Sequence, residues 1–246
     1  MGDWFRDAFG ELYPLVYPHR DVAEAAGVAA TLAPLIRSGR PTLDVACGNG
    51  RYLRALTAAG VNVVGVDLSE YLLGEAVNEG QGDAVVCGDM RALPFRPGTF
   101  GSAINMFTSF GYFDNDDDNS RALAEIARVV VPGGVFVLDF INAGRVRRTI
   151  DAYSHRSAGD AHIEEWRELT DARRVLTKRV RVSWPDRAPV EYSERLRLYT
   201  RPELTALLDA GGFDVARVHG DYQLGPFDES VSPRLLFICH RRVESA

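Results

Sequence analysis

Apolar residues along this chain follow two different rhythms. Between residues 41 and 140 short apolar runs alternate with amphipathic stretches, which predicts strands near 41–46, 61–67, 83–87, 100–106 and 134–140 with helices between them. Strand–helix alternation of this kind predicts a parallel sheet with right-handed crossovers. Ahead of it, residues 3–16 and 20–37 read as two helices joined around Tyr17–Pro18–His19–Arg20. The alanine-rich second helix reads either as a free amphipathic helix or as a lid packed over a ligand, and the lid fits better.

After residue 160 the period changes to two. Leu176, Val180, Val182 and Trp184 alternate with Thr177, Arg179, Arg181 and Ser183, and Tyr192, Leu196 and Leu198 alternate with Ser193, Arg195, Arg197 and Tyr199. Such alternation marks antiparallel strands with one wet face. Residues 162–170 supply a third strand, and Pro185–Asp186–Arg187–Ala188–Pro189 turns between two of them. A helix at 201–211 and a strand pair, Phe213–Val218 and Leu235–His240, complete the chain. The expected organisation is one α/β domain over 1–246: an N-terminal helical lid (1–38), a ligand-binding core (39–145), an antiparallel platform (160–200) and a terminal helix and strand pair (201–246).

Composition changes this picture little. A chain of 246 residues with 46% hydrophobic and 25% charged residues is an ordinary globular domain with a sizeable core. A net charge of −6 argues against a nucleic-acid backbone or an anionic membrane as the main partner. Cys47, Cys87 and Cys239 form no C-x-x-C pair, and each lies in or beside an apolar run, so buried reduced thiols in a cytoplasmic protein are expected. No stretch has the length of a membrane span or the apolar core of a signal peptide.

The chemistry begins at Asp44–Val–Ala–Cys–Gly–Asn–Gly–Arg51, where a strand gives way to a helix. Glycines at such a turn let backbone approach a ligand where a Cβ would clash. Asp67, closing the next apolar run, has the spacing of a carboxylate that holds ribose hydroxyls. A dinucleotide fingerprint would need a small residue where bulky Leu53 stands.

Counted backwards from Gly50, the turn reads D-x-A-x-G-x-G and resembles the first motif of class I S-adenosylmethionine-dependent methyltransferases, with Ala46 in place of a glycine. A backbone with negative φ is expected to tolerate that change. Later features keep the family's order: Cys87–Gly88–Asp89–Met90 after strand three, Thr99–Phe107 as strand four, and Ala127–Gly134 before strand five. The resemblance covers nearly the whole chain. It implies a Rossmann-like seven-stranded sheet flanked by helices, with a small antiparallel β insertion after strand five covering the acceptor pocket.

The resemblance also assigns roles. Gly48 and Gly50 approach the amino-acid part of S-adenosylmethionine, and Asp44 supports the loop or meets the ammonium. Asp67, with Leu68 beside it, holds ribose, and Asp89 with Met90 meets adenine. Asn105 belongs to a segment facing both cofactor and acceptor. Tyr13 and Arg20 suit the cofactor carboxylate, Arg20 through its bidentate fork; packing and a surface charge are the plain alternative. Ser109, Tyr112 and Asn142 are the acceptor-site candidates. No single base stands out, and Tyr17, His19, Asp139 and His162 are the candidates.

Two further patterns have plain readings. Asp114, Asp116, Asp118 and Glu125 have calcium-loop spacing, but position six is Asn119 and a helix continues, so an acidic helix N-terminus explains the run and no metal is expected. Arg179, Arg181, Arg195 and Arg197 read as the platform's solvent side more readily than as a grip on an anionic acceptor. The expected activity is methyl transfer from S-adenosylmethionine to a small molecule in specialised metabolism, by a monomer or homodimer. Two alternatives stay open: a non-methylating use of the same cofactor, such as cyclisation, and a non-catalytic nucleoside-binding module.

Overall fold

The computed structural model describes residues 8–18 and 22–243. Seven strands form the main sheet: β1 (Thr42–Val45), β2 (Val63–Asp67), β3 (Val85–Cys87), β4 (Phe100–Asn105), β5 (Val130–Ile141), β10 (Phe213–His219) and β11 (Arg234–Arg241). Their order is β10-β11-β5-β4-β1-β2-β3. All neighbours are parallel except β11, which runs antiparallel to both β5 and β10. Central strands such as β1 and β4 are buried along their whole length, which is why they read as continuous apolar runs.

Helices cover both faces. On one, α5 (Asp116–Val129) and α7 (Arg201–Ala210) bury Leu123, Ile126, Leu204 and Leu208 against Phe100, Phe136 and Phe213. The acidic run opens α5, where Asn115 caps the helix by accepting the Asp118 amide at 2.7 Å and Asp116–Asp118 face the positive end of its dipole. On the other face, α2 (Val22–Ile36) and α3 (Arg51–Ala58) pack Leu32 and Ile36 with Leu53 and Leu56 against Ile104 and Val137. The lid expectation fails for α2: its alanine-rich side buries against α3 and the sheet.

Boundaries differ where local chemistry decides. β5 begins at Val130, ahead of the expected 134, because two β-branched valines precede Pro132, which disfavours helix for the residue before it. Within the described part of the expected 3–16 helix, Ala8 and Tyr13–Val16 (α1) are helical and residues 9–12 turn between them. Cys47 and Cys239 are buried as expected, whereas Cys87 is exposed because β3 is an edge strand.

Between α6 (Ala143–Thr149) and α7 lies a second sheet, β6 (Tyr153–Ala158), β7 (Ala161–Thr170), β8 (Val175–Ser183) and β9 (Val190–Arg197), all antiparallel in that order. The platform thus has four strands and starts at Tyr153. β6 carries no apolar alternation because it is an edge strand with polar residues on both faces. The platform's inner face buries Ile163, Val180 and Val182 against Leu12 and Val16 of the N-terminal segment.

Candidate active site

β1 ends at Val45 and the chain turns at once, with φ of 59° at Ala46, 56° at Gly48 and 73° at Gly50. Ala46 therefore departs from the expected negative φ, at a cost of about 1–2 kcal/mol for a residue bearing a Cβ. The turn is tied by Cys47 N donating to Val66 O at 3.1 Å and Gly50 N to Cys47 O at 3.0 Å. Asp67, at the end of β2, accepts from Gly48 N at 2.7 Å and Ser69 N at 2.8 Å, so one carboxylate joins the first loop to the start of α4 (Glu70–Ala76). Burial pushes the Asp67 carboxyl above its ordinary pKa, against the pull of those backbone donors.

Behind the turn stand two buried acceptors that lack donors. Asp44 is 1% exposed and its Oδ2 has no partner; Asn105 donates from Nδ2 to Val45 O at 3.0 Å, yet its Oδ1 has none. Burial, then the charge of Asp67, pushes the Asp44 carboxyl up to about 8, against the opposing charge of Arg51. Orphaned buried acceptors are costly. An ammonium group is a donor of the kind these acceptors lack, and the methionine moiety of S-adenosylmethionine carries one, so the chemistry of the residues behind the turn fits that cofactor.

A cleft opens over the turn and is partly open to solvent. One wall is built from Ala46, Gly48, Asp67, Leu68, Asp89 and Met90. Phe9, Tyr13, Ser109, Tyr112 and Phe113 complete the lining. Ring centroids run at 5.4 Å from Tyr112 to Phe9, 5.5 Å from Phe9 to Tyr13 and 5.2 Å from Tyr13 to Tyr17. Ser69 Oγ donates to Phe9 O at 2.7 Å, pinning this N-terminal segment to the start of α4.

Asp89 lines the cleft, but its carboxylate sits in the fork of Arg91, at 2.7 Å from Nη2 and 3.1 Å from Nε. Arg91 also reaches Asp118 at 3.1 Å and lies over the Phe113 ring at 4.5 Å.

Several predicted residues stand elsewhere. Asp44, Gly50 and Asn105 support the turn from behind and do not line the cleft. Asp139 is fully buried and paired with Arg234 at 2.8 Å; it also accepts from Tyr222 Oη and Phe107 N, each at 2.7 Å. It anchors the loop after β4 and faces no acceptor, which corrects its candidacy as a base. That loop needs an anchor, since Phe107 and Thr108 both hold positive φ, 61° and 62°. Asn142 is likewise corrected: it caps α6, accepting from Gly144 N at 3.0 Å and donating to Ser232 O at 2.9 Å, and lies 2% exposed outside the cleft. His162 is exposed on β7, beside the His155 ring at 5.8 Å, and does not face the cleft. His19 and Arg20 lie outside the described residues. Of the platform arginines, Arg181, Arg195 and Arg197 pair with Glu191, Asp114 and Glu203, and Arg179 lies over Trp166.

Sequence reasoning missed Phe9, Ser69 and Arg91. It also missed a cluster on the platform's inner face: Lys178 and Glu194, which contact Tyr17, and Glu165, which pairs with Lys178. Each interrupts the apolar parity of its strand, Lys178 between Leu176 and Val180 and Glu194 between Tyr192 and Leu196, and that interruption was the available signal.

A family model described as "Methyltransferase domain" matches residues 43–138. A dTDP-3-amino-3,6-dideoxy-alpha-D-glucopyranose N,N-dimethyltransferase of Streptomyces fradiae is 30% identical over 234 residues, 85% of this chain and 85% of its own length. The chain belongs to the class I S-adenosylmethionine-dependent methyltransferases. A dTDP-3-amino-3,4,6-trideoxy-alpha-D-glucopyranose N,N-dimethyltransferase of Streptomyces venezuelae is 35% identical over 134 residues, 52% of this chain and 55% of that enzyme. The same fold is seen in the crystal structure of a S-adenosylmethionine-dependent methyltransferase from Clostridium acetobutylicum, with a TM-score of 0.78 at 16% identity over 94% of this chain and 96% of that one. The family makes S-adenosylmethionine the cofactor of this methyltransferase. Among the described residues no helix is long and apolar enough to cross a membrane.

Proposed function

We propose that this enzyme N-methylates the amino group of a deoxyamino sugar carried on a nucleoside diphosphate. The observation that carries this reading is the relationship over 85% of both chains to the Streptomyces fradiae enzyme, whose name gives that substrate. The cleft supports it. Phe9, Tyr13, Tyr112 and Phe113 offer ring surface on which the apolar faces of a deoxysugar pack.

Among the strand-end residues we assign Asp67 to the ribose hydroxyls and the Asp89 edge with Met90 to the adenine, with Asp44 and Asn105 behind the turn as the electrostatic complement of the ammonium. When bound, S-adenosylmethionine supplies an electrophilic methyl group. An amine nucleophile then needs to be neutral, aligned and dry, and alignment is the protein's main contribution. Ser109, whose hydroxyl donates to Met106 O at 2.9 Å, and Tyr112 stand where the acceptor would be aligned. We place the enzyme in the cytoplasm, a reading supported by three cysteines that form no disulfide.

Mass spectrometry after incubation with methyl-labelled cofactor and dTDP-3-amino-3,6-dideoxyglucose tests the proposal. The expected product carries labelled methyl on the sugar nitrogen. Label on a hydroxyl of the analogue lacking the amine, with none on the amino sugar, would replace this reading with O-methylation.

A further inference from the structure

The chain holds 28 basic residues and Lys178 is the only lysine among them. It is also among the most deeply placed, at 8% exposure, in the middle of the platform's inner face. Elsewhere the chain uses arginine wherever a cation is needed, so a buried lysine points to a single-point ammonium donor in place of a planar fork. Its neighbours are two carboxylates and a phenol. Lys178 Nζ lies 3.0 Å from Glu194 and 3.4 Å from Glu165, donates to Tyr17 Oη, and sits 4.2 Å from the centre of the Tyr17 ring. Tyr17 Oη in turn donates to Glu194, 2.6 Å from each carboxylate oxygen.

Burying four such groups is expensive, and an apolar replacement is often as stable, so a cluster of this kind is a weak device for stability alone. Its Tyr17 ring adjoins the cleft lining without being part of it. Tyr13 and Tyr17 are four residues apart along one face, their rings 5.2 Å apart, and Tyr13 lines the cleft. Arg156 holds the segment down by donating to Val16 O at 2.8 Å, so Tyr17 is presented from a pinned turn.

We infer that Tyr17 takes the proton from the acceptor's amine, with Glu194 and Lys178 acting through it as positioning residues; this rests on the amino-sugar reading above. The N–H bond of the bound ammonium breaks and its proton passes to the Tyr17 oxygen, while the Tyr17 O–H proton passes to a Glu194 oxygen. The electron pair left on nitrogen forms the bond to the methyl carbon. Glu194 then returns its proton to solvent, and the cluster is reset for another round. Lys178 lowers the cost of negative charge on the Tyr17 oxygen as its proton leaves. Glu165 balances the lysine: burial opposes its charge, yet Lys178 and Arg167 beside it hold its carboxyl below the usual range. The charged and titratable groups facing Tyr17 are therefore Lys178 from β8, Glu165 and Arg167 from β7, Glu194 and Tyr192 from β9, Arg156 from β6, and Tyr13 on its own segment.

The test is the pH profile of kcat for Tyr17→Phe and Glu194→Gln with dTDP-3-amino-3,6-dideoxyglucose. Tyr17→Phe keeps the ring packing and should lower kcat at neutral pH by about a hundredfold, the lower end for loss of a general base. S-adenosylhomocysteine binding should stay within about twofold. The deficit should shrink by about tenfold for each unit the pH is raised, because the amine then arrives neutral. A deficit equal at every pH, or none, overturns the relay while leaving the substrate reading intact. Wild-type turnover of neither this sugar nor its hydroxyl analogue removes the substrate reading and the relay with it. A second measurement needs no turnover. Protein labelled with 15N at lysine side chains gives one resonance, from Lys178, which should shift when the amino sugar is added to the S-adenosylhomocysteine complex. A resonance unmoved by saturating sugar places the amine away from the cluster and overturns the inference.

Discussion

On the nucleoside side of the cleft the functional groups stand at the ends of parallel strands: the Ala46–Gly50 turn after β1, Asp67 closing β2, Asp89 after β3. Their positions follow from the sheet, and backbone hydrogen bonds lock them, as Gly48 N and Ser69 N lock Asp67. Of the remaining lining, Phe9 and Tyr13 come from the N-terminal segment and Ser109 and Tyr112 from the loop after β4, with the platform's ionic cluster packed behind Tyr17. These pieces meet only through tertiary packing, so that half can change its acceptor while the cofactor half stays as it is. A family can keep one wall and rebuild the other.

If the acceptor half depends on an internal anchor, removing the anchor should be the most damaging single change. Asp139→Ala leaves Arg234 buried without its carboxylate and frees the strained Phe107–Thr108 pair, so unfolding free energy should fall by about 3–5 kcal/mol. Denaturant titration checks it, and a loss under about 1 kcal/mol would mean that the loop holds its shape by other contacts. On the cofactor half, Asp67→Ala should weaken S-adenosylhomocysteine binding by about 1–3 kcal/mol, the cost of leaving ribose hydroxyls unpartnered.

Asp44 makes the cofactor half pH-dependent in a definite direction. Its folded pKa, about 8, lies above its ordinary value of 3.8, so the folded protein binds this proton more tightly than the unfolded chain does. The stability contributed is complete below the unfolded value and is lost as pH rises toward 8. That loss is about 1.4 kcal/mol for each pH unit inside the window. Asp44→Asn should remove this slope in the cofactor-free protein and weaken cofactor binding, because the ammonium loses its carboxylate. Unfolding titrations between pH 6 and 7 on both proteins decide it; equal slopes would contradict the assignment.

What the sequence reveals follows the same division. The strand order, the D-x-A-x-G-x-G turn, Asp67 and the N-cap of α5 are legible because each is local: a run, a turn or a strand end a few residues long. Ala46 is the exception, since its positive φ is imposed by closure of the turn, which no residue preference displays. The acceptor half is harder. Asp139 and Asn142 sit at the end of β5, where such residues would reach a ligand, but Arg234 and residues 228–232 arrive from far along the chain to occupy their side chains. β6 is invisible because a polar edge strand has no alternation to read. The buried cluster was written in the broken parity at Lys178 and Glu194, and only the sheet register, which places Lys178 opposite Glu194, turns two interruptions into one site.

Tyr112→Phe should have the smallest effect, a few-fold on turnover, because its ring packing against Phe9 survives and only the hydroxyl is lost. The larger change Tyr112→Ala, measured beside Asp67→Ala for both S-adenosylhomocysteine affinity and turnover, tests the division of the cleft most directly. Asp67→Ala should lose cofactor affinity, while Tyr112→Ala should keep it to within about 0.5 kcal/mol, the ordinary scatter of a site without direct contact, and lose turnover. Parallel loss of cofactor affinity in both variants would contradict a cleft with two independently built halves.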